Sequence, residues 1–274
     1  MTNDPSEPLL RRVDDGVCWL TLNRPEAANA ITPAQRDDLI AHLHAASGDL
    51  NIRAAVITAN GRHFCTGADL RVDRPGAEDR PEGSPERPTL TVSRNIQTGA
   101  QRLIGAILDC DKPVIAAVNG TAAGIGAHIA FACDLVIAAE GSRFIEVFAR
   151  RGIVPDGGGA WLLTRTLGLQ KAKELVFFGD DLAADDAERL GLVNRIVPGD
   201  RLLAEAGVWA ARLANGPTIA IGLAKQLLNR AGESDRATAF REEALAQEVA
   251  MSSQDAQEGV RSFVERRPTA FRGW

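Results

Sequence analysis

Short, uninterrupted apolar runs alternate along this chain with stretches whose apolar residues recur at helical spacing. Val17–Leu22, Ala54–Thr58, Pro113–Asn119 and Asp134–Ala139 are of the first kind and read as strands, with Arg143–Phe148 as a further one. Residues 1–12 read as a polar arm leading into a first short strand. A helix is expected from Thr32, with Thr32 as N-cap, Pro33 at the first helical position and Leu39, Ile40 and Leu43 on its apolar face. Another is expected over Leu90–Asp109, with Ile96, Leu103, Ile104 and Ile107 facing inward, and a short one over Gly124–Ala132. From about residue 200 only helical signals remain: 201–214 and 218–229, broken at Asn215-Gly216-Pro217, then 236–250 and 254–266. Strands alternating with helices predict an α/β layered core over residues 1–199. The helical remainder predicts an appended lobe over residues 200–274.

Length and composition agree with that division. The chain has 274 residues, 45% of them hydrophobic, enough for one sizeable core. Its net charge of −5 argues against a nucleic-acid surface, which needs clustered positive charge. No apolar run approaches membrane-spanning length, and Met1-Thr2-Asn3-Asp4-Pro5 carries no signal-peptide pattern, so a cytoplasmic protein is expected. Cys18, Cys65, Cys110 and Cys133 are scattered without metal-ligand or disulfide spacing, which fits a reducing compartment and predicts no metal. Residues 71–89 are rich in Pro, Arg, Glu and Gly and lack an apolar period. They read as a mobile loop, either a cover for a ligand site or a solvated insertion.

The chemistry is concentrated in two glycine-bearing loops, each following a strand. Phe64-Cys65-Thr66-Gly67-Ala68-Asp69-Leu70 is the first, and Asn119-Gly120-Thr121-Ala122-Ala123-Gly124-Ile125-Gly126 the second. Small residues there let backbone N–H groups approach a ligand closely. Two such groups from separate loops can hold one developing oxyanion. The glycines alone have a plainer explanation, tight packing of helix on strand. A dinucleotide-binding fold is excluded, because Gly120, Gly124 and Gly126 do not follow the G-x-G-x-x-G pattern.

In order and spacing these loops resemble the enoyl-CoA hydratase/isomerase (crotonase) family. The resemblance extends from Leu20-Thr21-Leu22-Asn23-Arg24-Pro25 and Asn29-Ala30-Ile31, through Ala132-Cys133-Asp134-Leu135 and Gly152-Ile153-Val154-Pro155-Asp156-Gly157-Gly158-Gly159, to Gly191-Leu192-Val193-Asn194 and Val197-Pro198. It implies a spiral of ββα units with a C-terminal helical lobe that packs on neighbouring subunits of a homotrimer or hexamer. It implies an acyl-CoA substrate, with coenzyme A arriving as part of that substrate and no separate cofactor. It assigns the N–H groups of Ala68 and Ile125 to the thioester oxygen. It also places Arg24, Ala28, Thr66, Gly67, Ala68, Asp69 and Leu70 along the coenzyme A channel, with Arg71 nearby and Arg272 reaching a neighbouring subunit's ligand. For each arginine the plainer reading is a solvated charge.

The chain departs from the family's hydratases where it matters most. Their two glutamates fall here on His128 and Phe148. Adding water across a conjugated double bond needs two polar groups at one site, so hydration becomes doubtful. Asp156 takes over as the candidate base, since one carboxylate suffices to move a proton between carbons of a thioester. Burial raises an aspartate's pKa and improves it as a base, and Phe148 and Trp161 are candidates for that apolar surround. Alternatively Asp156 caps a helix starting near Gly157. His128 lies one turn beyond Ile125 and faces the same site. It either serves Asp156, a water or the substrate, or is a half-buried histidine bonded to backbone. Glu146 shares strand parity with Phe148 but reads as structural or surface. His63 reads as surface, and His42 and His44 as exposed. Three functions remain open at this point: double-bond isomerisation with Asp156 as proton shuttle, hydration with Asp156, His128 and water, and non-catalytic acyl-CoA binding.

Overall fold

A computed structural model describes residues 4, 6–71, 83, 85 and 89–274. The proposed cover over residues 71–89 lies almost wholly outside them. The strands are β1 Leu9–Asp14, β2 Val17–Leu22, β3 Ala54–Ala59, β4 His63–Cys65, β5 Val114–Val118, β6 Thr121–Ala123, β7 Leu135–Ala139, β8 Arg143–Ile145, β9 Asp181–Ala183 and β10 Arg195–Val197. The helices are α1 Pro33–Gly48, α2 Thr91–Ile96, α3 Arg102–Leu108, α4 Ile125–Ala132, α5 Gly159–Leu167, α6 Leu169–Phe178, α7 Ala184–Arg189, α8 Leu202–Ala214, α9 Thr218–Ala231, α10 Arg236–Met251 and α11 Gln254–Glu265. One π turn over Gln97–Gln101 joins α2 to α3, within the span read from sequence as one helix. There Gly99 lies against the Arg36 guanidinium. Thr32 caps α1 as expected, within a capping box closed by Gln35.

Among the described residues the strands form two sheets, ordered β1-β2-β3-β5-β7-β10 and β4-β6-β8-β9. β3, β5 and β7 are parallel in the first sheet. Each passes within a few residues to a partner in the second (β4, β6, β8), and those three are parallel too. A helix then returns the chain to the next strand. This repetition is the spiral of ββα units.

The central strands are buried on both faces, as covered parallel strands must be. Their alternate residues divide cleanly. Ala55, Ile57, Val114, Ala116, Val118, Val136 and Ala138 pack with Leu39, Leu43, Leu103 and Ile107 of α1 and α3. Ala54, Val56, Ile115, Ala117, Ile137 and Ala139 pack with Leu202, Ala206, Ala210 and Ala214 of α8. The alanines of α8 let it lie close to the sheet. α8 therefore belongs to the core layers, and the helical range drawn from residue 200 includes a helix that covers the sheet. α9 is tied down as well. The buried Lys225 ammonium donates to the carbonyls of Ile107 and Lys112 and pairs with Asp134 at 2.9 Å. Burial holds the Asp134 carboxyl above its ordinary pKa, opposed by Lys225. α10 and α11 carry exposed Phe240, Leu245, Val249, Val260 and Phe263.

Candidate active site

Both glycine loops lie beyond the C-terminal ends of β3 and β5, where short strands lead away into the second sheet. In the first loop Ile31 forms an isolated parallel bridge with Ala68: its N–H donates to Gly67 O, and its carbonyl accepts from Asp69 N–H, both at 2.9 Å. Because the bonds to Ile31 come from the residues flanking Ala68, the Ala68 N–H points the other way. Ala68 is exposed. In the second loop Gly124 adopts φ +54° and ψ −124°, a conformation that suits glycine, and directly precedes α4. Ile125 opens α4, so its N–H has no intrahelical acceptor. Among the described residues neither N–H donates to the chain.

The loops abut. A Cβ built on Gly67 would stand 3.5 Å from Ala123 O, and one on Gly124 would stand 4.0 Å from Gly67 Cα. α4 begins against the β4 backbone, since a Cβ on Gly126 would meet Cys65 O at 2.1 Å. Two donors without an acceptor in the chain, one at the positive end of a helix, thus sit on abutting loops.

His128 is fully buried and bonds to Glu146, with 3.2 Å between Nε2 and Oε2. The expectation of a half-buried histidine bonded to backbone is corrected, as is the surface reading of Glu146, which is only 4% exposed. Phe148 stacks on the imidazole with ring centroids 5.2 Å apart and 13° between planes. The segment Gly157-Gly158-Gly159 lies along the same ring. Asp156, beside that segment, is half-buried. Burial raises its carboxyl above the ordinary pKa of 3.8, and the electrostatic influence of the neighbouring His128 is the largest one opposing it. The capping alternative for Asp156 fails: α5 starts at Gly159 with Gly158 as N-cap and no side-chain cap bond. Trp161 is also reassigned. Its indole N–H donates to Glu233 and Arg165 stacks over its ring, so it faces outward instead of enclosing Asp156.

Several residues expected along the coenzyme A channel also hold the loops together. Arg24 donates to Ala30 O and reaches Gln35 and, at 3.0 Å, Asp69. Its guanidinium is thereby paired within the protein, not a solvated charge, with the side chain 22% exposed. The Thr66 hydroxyl donates to Ala28 O, and Ala28 itself is left-handed at φ +52°. Asn29 is buried and donates to Asn60 O and His63 O, so its amide ties three segments together. The Asp69 side chain is 2% exposed, and the bonds from Arg71, with that from Arg24, hold its carboxyl down to about 2. Leu70 and Arg71 are exposed beside it. His63 is half-buried, not on the surface. His42 is half-buried too, while His44 is exposed. Arg272 is fixed elsewhere. Its N–H and that of Gly273 donate to Asp255, and Arg53, just before β3, holds Phe271 O. That is the opposite end of β3, about 20 Å from the loops for a strand of this length. Arg272 therefore does not serve the site of its own chain. Among the described residues no group of three or more His, Cys, Asp or Glu could hold a metal ion.

The family model for enoyl-CoA hydratase/isomerase matches residues 12–273. This chain belongs to that family. It is an enzyme of the crotonase fold acting on an acyl-CoA thioester. It is 37% identical, over 95% of this chain and 96% of the relative, to a Rhodobacter capsulatus protein named "Probable enoyl-CoA hydratase". It is 36% identical to the 1,2-epoxyphenylacetyl-CoA isomerase of Escherichia coli K12, over 97% of this chain and 99% of the relative. The crystal structure of an enoyl-CoA hydratase from Bacillus anthracis superposes with a TM-score of 0.85 at 29% identity, covering 98% of this chain and 100% of the other. Relatives at similar identity thus bear the names of different reactions, so the reaction has to be argued from the site.

Sequence reasoning singled out Ala68, Ile125, His128 and Asp156, and the structure brings their segments together. It undervalued Glu146. Strand parity could not have found it: the strand expected over Arg143–Phe148 ends at Ile145, and Phe148 already has helical backbone angles of φ −64° and ψ −49°.

Proposed function

We propose that the enzyme shifts a double bond in an acyl-CoA by moving one proton between carbons. The Asp156 carboxylate takes a proton from the carbon next to the thioester, and the C–H electron pair becomes an enolate conjugated with the existing double bond. The N–H groups of Ala68 and Ile125 hold the enolate oxygen, each charge-assisted bond contributing roughly 1.5–3 kcal/mol. Asp156 then returns the proton two carbons further along, and the pair it meets closes the new C–H bond. The chemistry draws on no cofactor beyond the coenzyme A of the substrate.

One observation carries this reading. Of the two carboxylates near the imidazole, Asp156 is half-open with its carboxyl pKa raised by burial, while Glu146 is buried and bonded to His128. The family resemblance puts Phe148 at the position where hydratases carry their second glutamate, which supports the same reading. The test is incubation with 2-enoyl-CoA and 3-enoyl-CoA, followed by mass and absorbance. Isomerisation leaves mass unchanged and alters conjugation. A gain of one water mass at comparable rate supports the hydratase alternative, and no change in either substrate supports a binding role.

A homotrimer or hexamer is also proposed, supported by the exposed apolar residues of α10 and α11; light scattering tests it. Residence in the cytoplasm is supported by four buried, unpaired cysteines. Among the described residues no helix is long and apolar enough to cross a membrane. Fractionation of cells carrying the tagged protein tests the compartment.

A further inference from the structure

His128 and Glu146 form a polar pair inside apolar packing, with side chains 0% and 4% exposed. The proton transfer described above makes no use of them. Two of their atoms, His128 Nδ1 and Glu146 Oε1, are buried without a hydrogen-bond partner among the described residues. An unpaired buried polar atom costs roughly 1–3 kcal/mol, so its persistence calls for a reason. The ring is held on three sides. Phe148 stacks on its face. A Cβ on Gly159 would fall 2.1 Å from Nε2, and one on Gly157 would fall 2.8 Å from Nδ1. The imidazole therefore lies along the glycine run with Nδ1 at the Gly157 end. That end adjoins Asp156, and the same Gly157 position is 2.4 Å from the Ile125 side chain. The unpartnered nitrogen sits where the base and the second glycine loop meet.

Glu146 as a carboxylate can only accept, so Nε2 carries the hydrogen of their bond. In the neutral ring Nδ1 is then a bare acceptor. We infer that Glu146 and His128 are positioning residues: the carboxylate fixes the imidazole tautomer, and Nδ1 accepts a hydrogen bond from the Asp156 carboxyl once it carries the substrate's proton. This inference rests on Asp156 being the shuttle. No bond is made to His128 and no electron changes hands. The proton stays on the Asp156 oxygen, turned toward Nδ1 and away from solvent, until the enolate reclaims it two carbons away. The imidazole thus keeps the transferred hydrogen within the site between the two half-reactions.

The experiment uses the full chain and 3-hexenoyl-CoA in D2O, reading kcat, KM, deuterium in the product and melting temperature. Glu146→Gln lets the amide turn and present either a donor or an acceptor to the ring, releasing the tautomer. It should lower kcat about tenfold with KM within about twofold, and product deuterium should rise. His128→Leu should behave alike. His128→Asn, whose amide oxygen can take the place of Nδ1, should recover most of the rate and the low deuterium content. The pair's role is overturned if Glu146→Gln and His128→Leu keep the parent kcat and deuterium content, or if His128→Asn is as impaired as His128→Leu. Should Glu146→Gln melt early, the comparison of the two His128 variants carries the test by itself. Asp156→Asn separates the two levels. Activity surviving in that variant removes the shuttle and this inference with it. An inactive Asp156→Asn beside parent-like Glu146 and His128 variants removes only the positioning role.

Discussion

Gly126 is the second residue of α4, and an alanine Cβ there would stand 2.1 Å from the carbonyl oxygen of Cys65 and 2.8 Å from its carbonyl carbon. Ordinary contact begins near 3.4 Å. Both clashing groups are backbone, one in α4 and one at the end of β4, so no side chain can swing aside. The helix has to withdraw by about 1 Å, and Ile125, its first residue, moves with it. A charge-assisted N–H···O bond near 2.9 Å would then stretch well past 3.5 Å and be lost. Loss of one oxyanion donor lowers kcat about 10²- to 10³-fold, and a displacement of this size at a reacting centre costs about 10²-fold by itself. Local helix propensity runs the other way, since alanine is favoured over glycine by about 1 kcal/mol in a helix interior. Gly126→Ala should therefore fold, yet isomerise about 10²-fold more slowly, with weaker affinity for any ligand whose oxygen uses both donors. Gly105→Ala in α3 is the control, because its Cβ would meet only the Asp109 carboxylate, at 3.8 Å. It should keep the parent rate. The assay is the rate of conjugation change with 3-enoyl-CoA, with melting curves on both variants. A folded Gly126→Ala enzyme with kcat within about threefold of the parent would refute the two-donor reasoning.

Asp156→Asn should lower isomerisation by about 10²- to 10⁴-fold while acyl-CoA still binds, measured by turnover and by calorimetry. The sign of its stability effect follows from the raised carboxyl pKa. The protonated form is the one the fold favours, so ionised Asp156 subtracts stability as pH rises through its folded pKa. The variant should melt at or above the parent temperature near neutral pH, and the advantage should vanish below the ordinary aspartate value of 3.8. In the parent, the acid limb of kcat/KM should have its midpoint above 3.8, and a limb at or below that value would contradict a desolvated base. Lys225→Met should destabilise by about 3–5 kcal/mol, because Asp134 loses its buried partner, with kcat per folded molecule unchanged; denaturant titration beside turnover reads both. Gly159→Ala, whose Cβ would fall 2.1 Å from His128 Nε2, should displace the ring from Glu146 and lower kcat more than it raises KM.

Much of this protein was legible before any coordinates. The buried strands announced themselves as apolar runs, because a parallel strand covered on both faces has no polar side to show. The cap at Thr32, the break at Asn215-Gly216-Pro217 and the two glycine loops are local features, set by residues adjacent in sequence. Given the family resemblance, Asp156 and the hydratase glutamate positions, here His128 and Phe148, could be located by counting from those loops. What sequence could not determine depended on residues distant in the chain meeting in space. The three-residue strands β4, β6, β8 and β9 carry too few positions for a period to register, and exist because each pairs with the next. Arg24 could be seen as a cation, but only the fold sets Asp69 beside it, 45 residues on. Trp161 turned outward because Glu233, 72 residues away, accepts its N–H. Glu146 looked like an ordinary strand carboxylate until the packing of Phe148 and the glycine run closed over His128. Residue order was enough to mark the two small-residue loops and the acid expected near them. Which charges are already paired emerged from the fold, because pairing depends on distance in space, and neither spacing nor composition measures it.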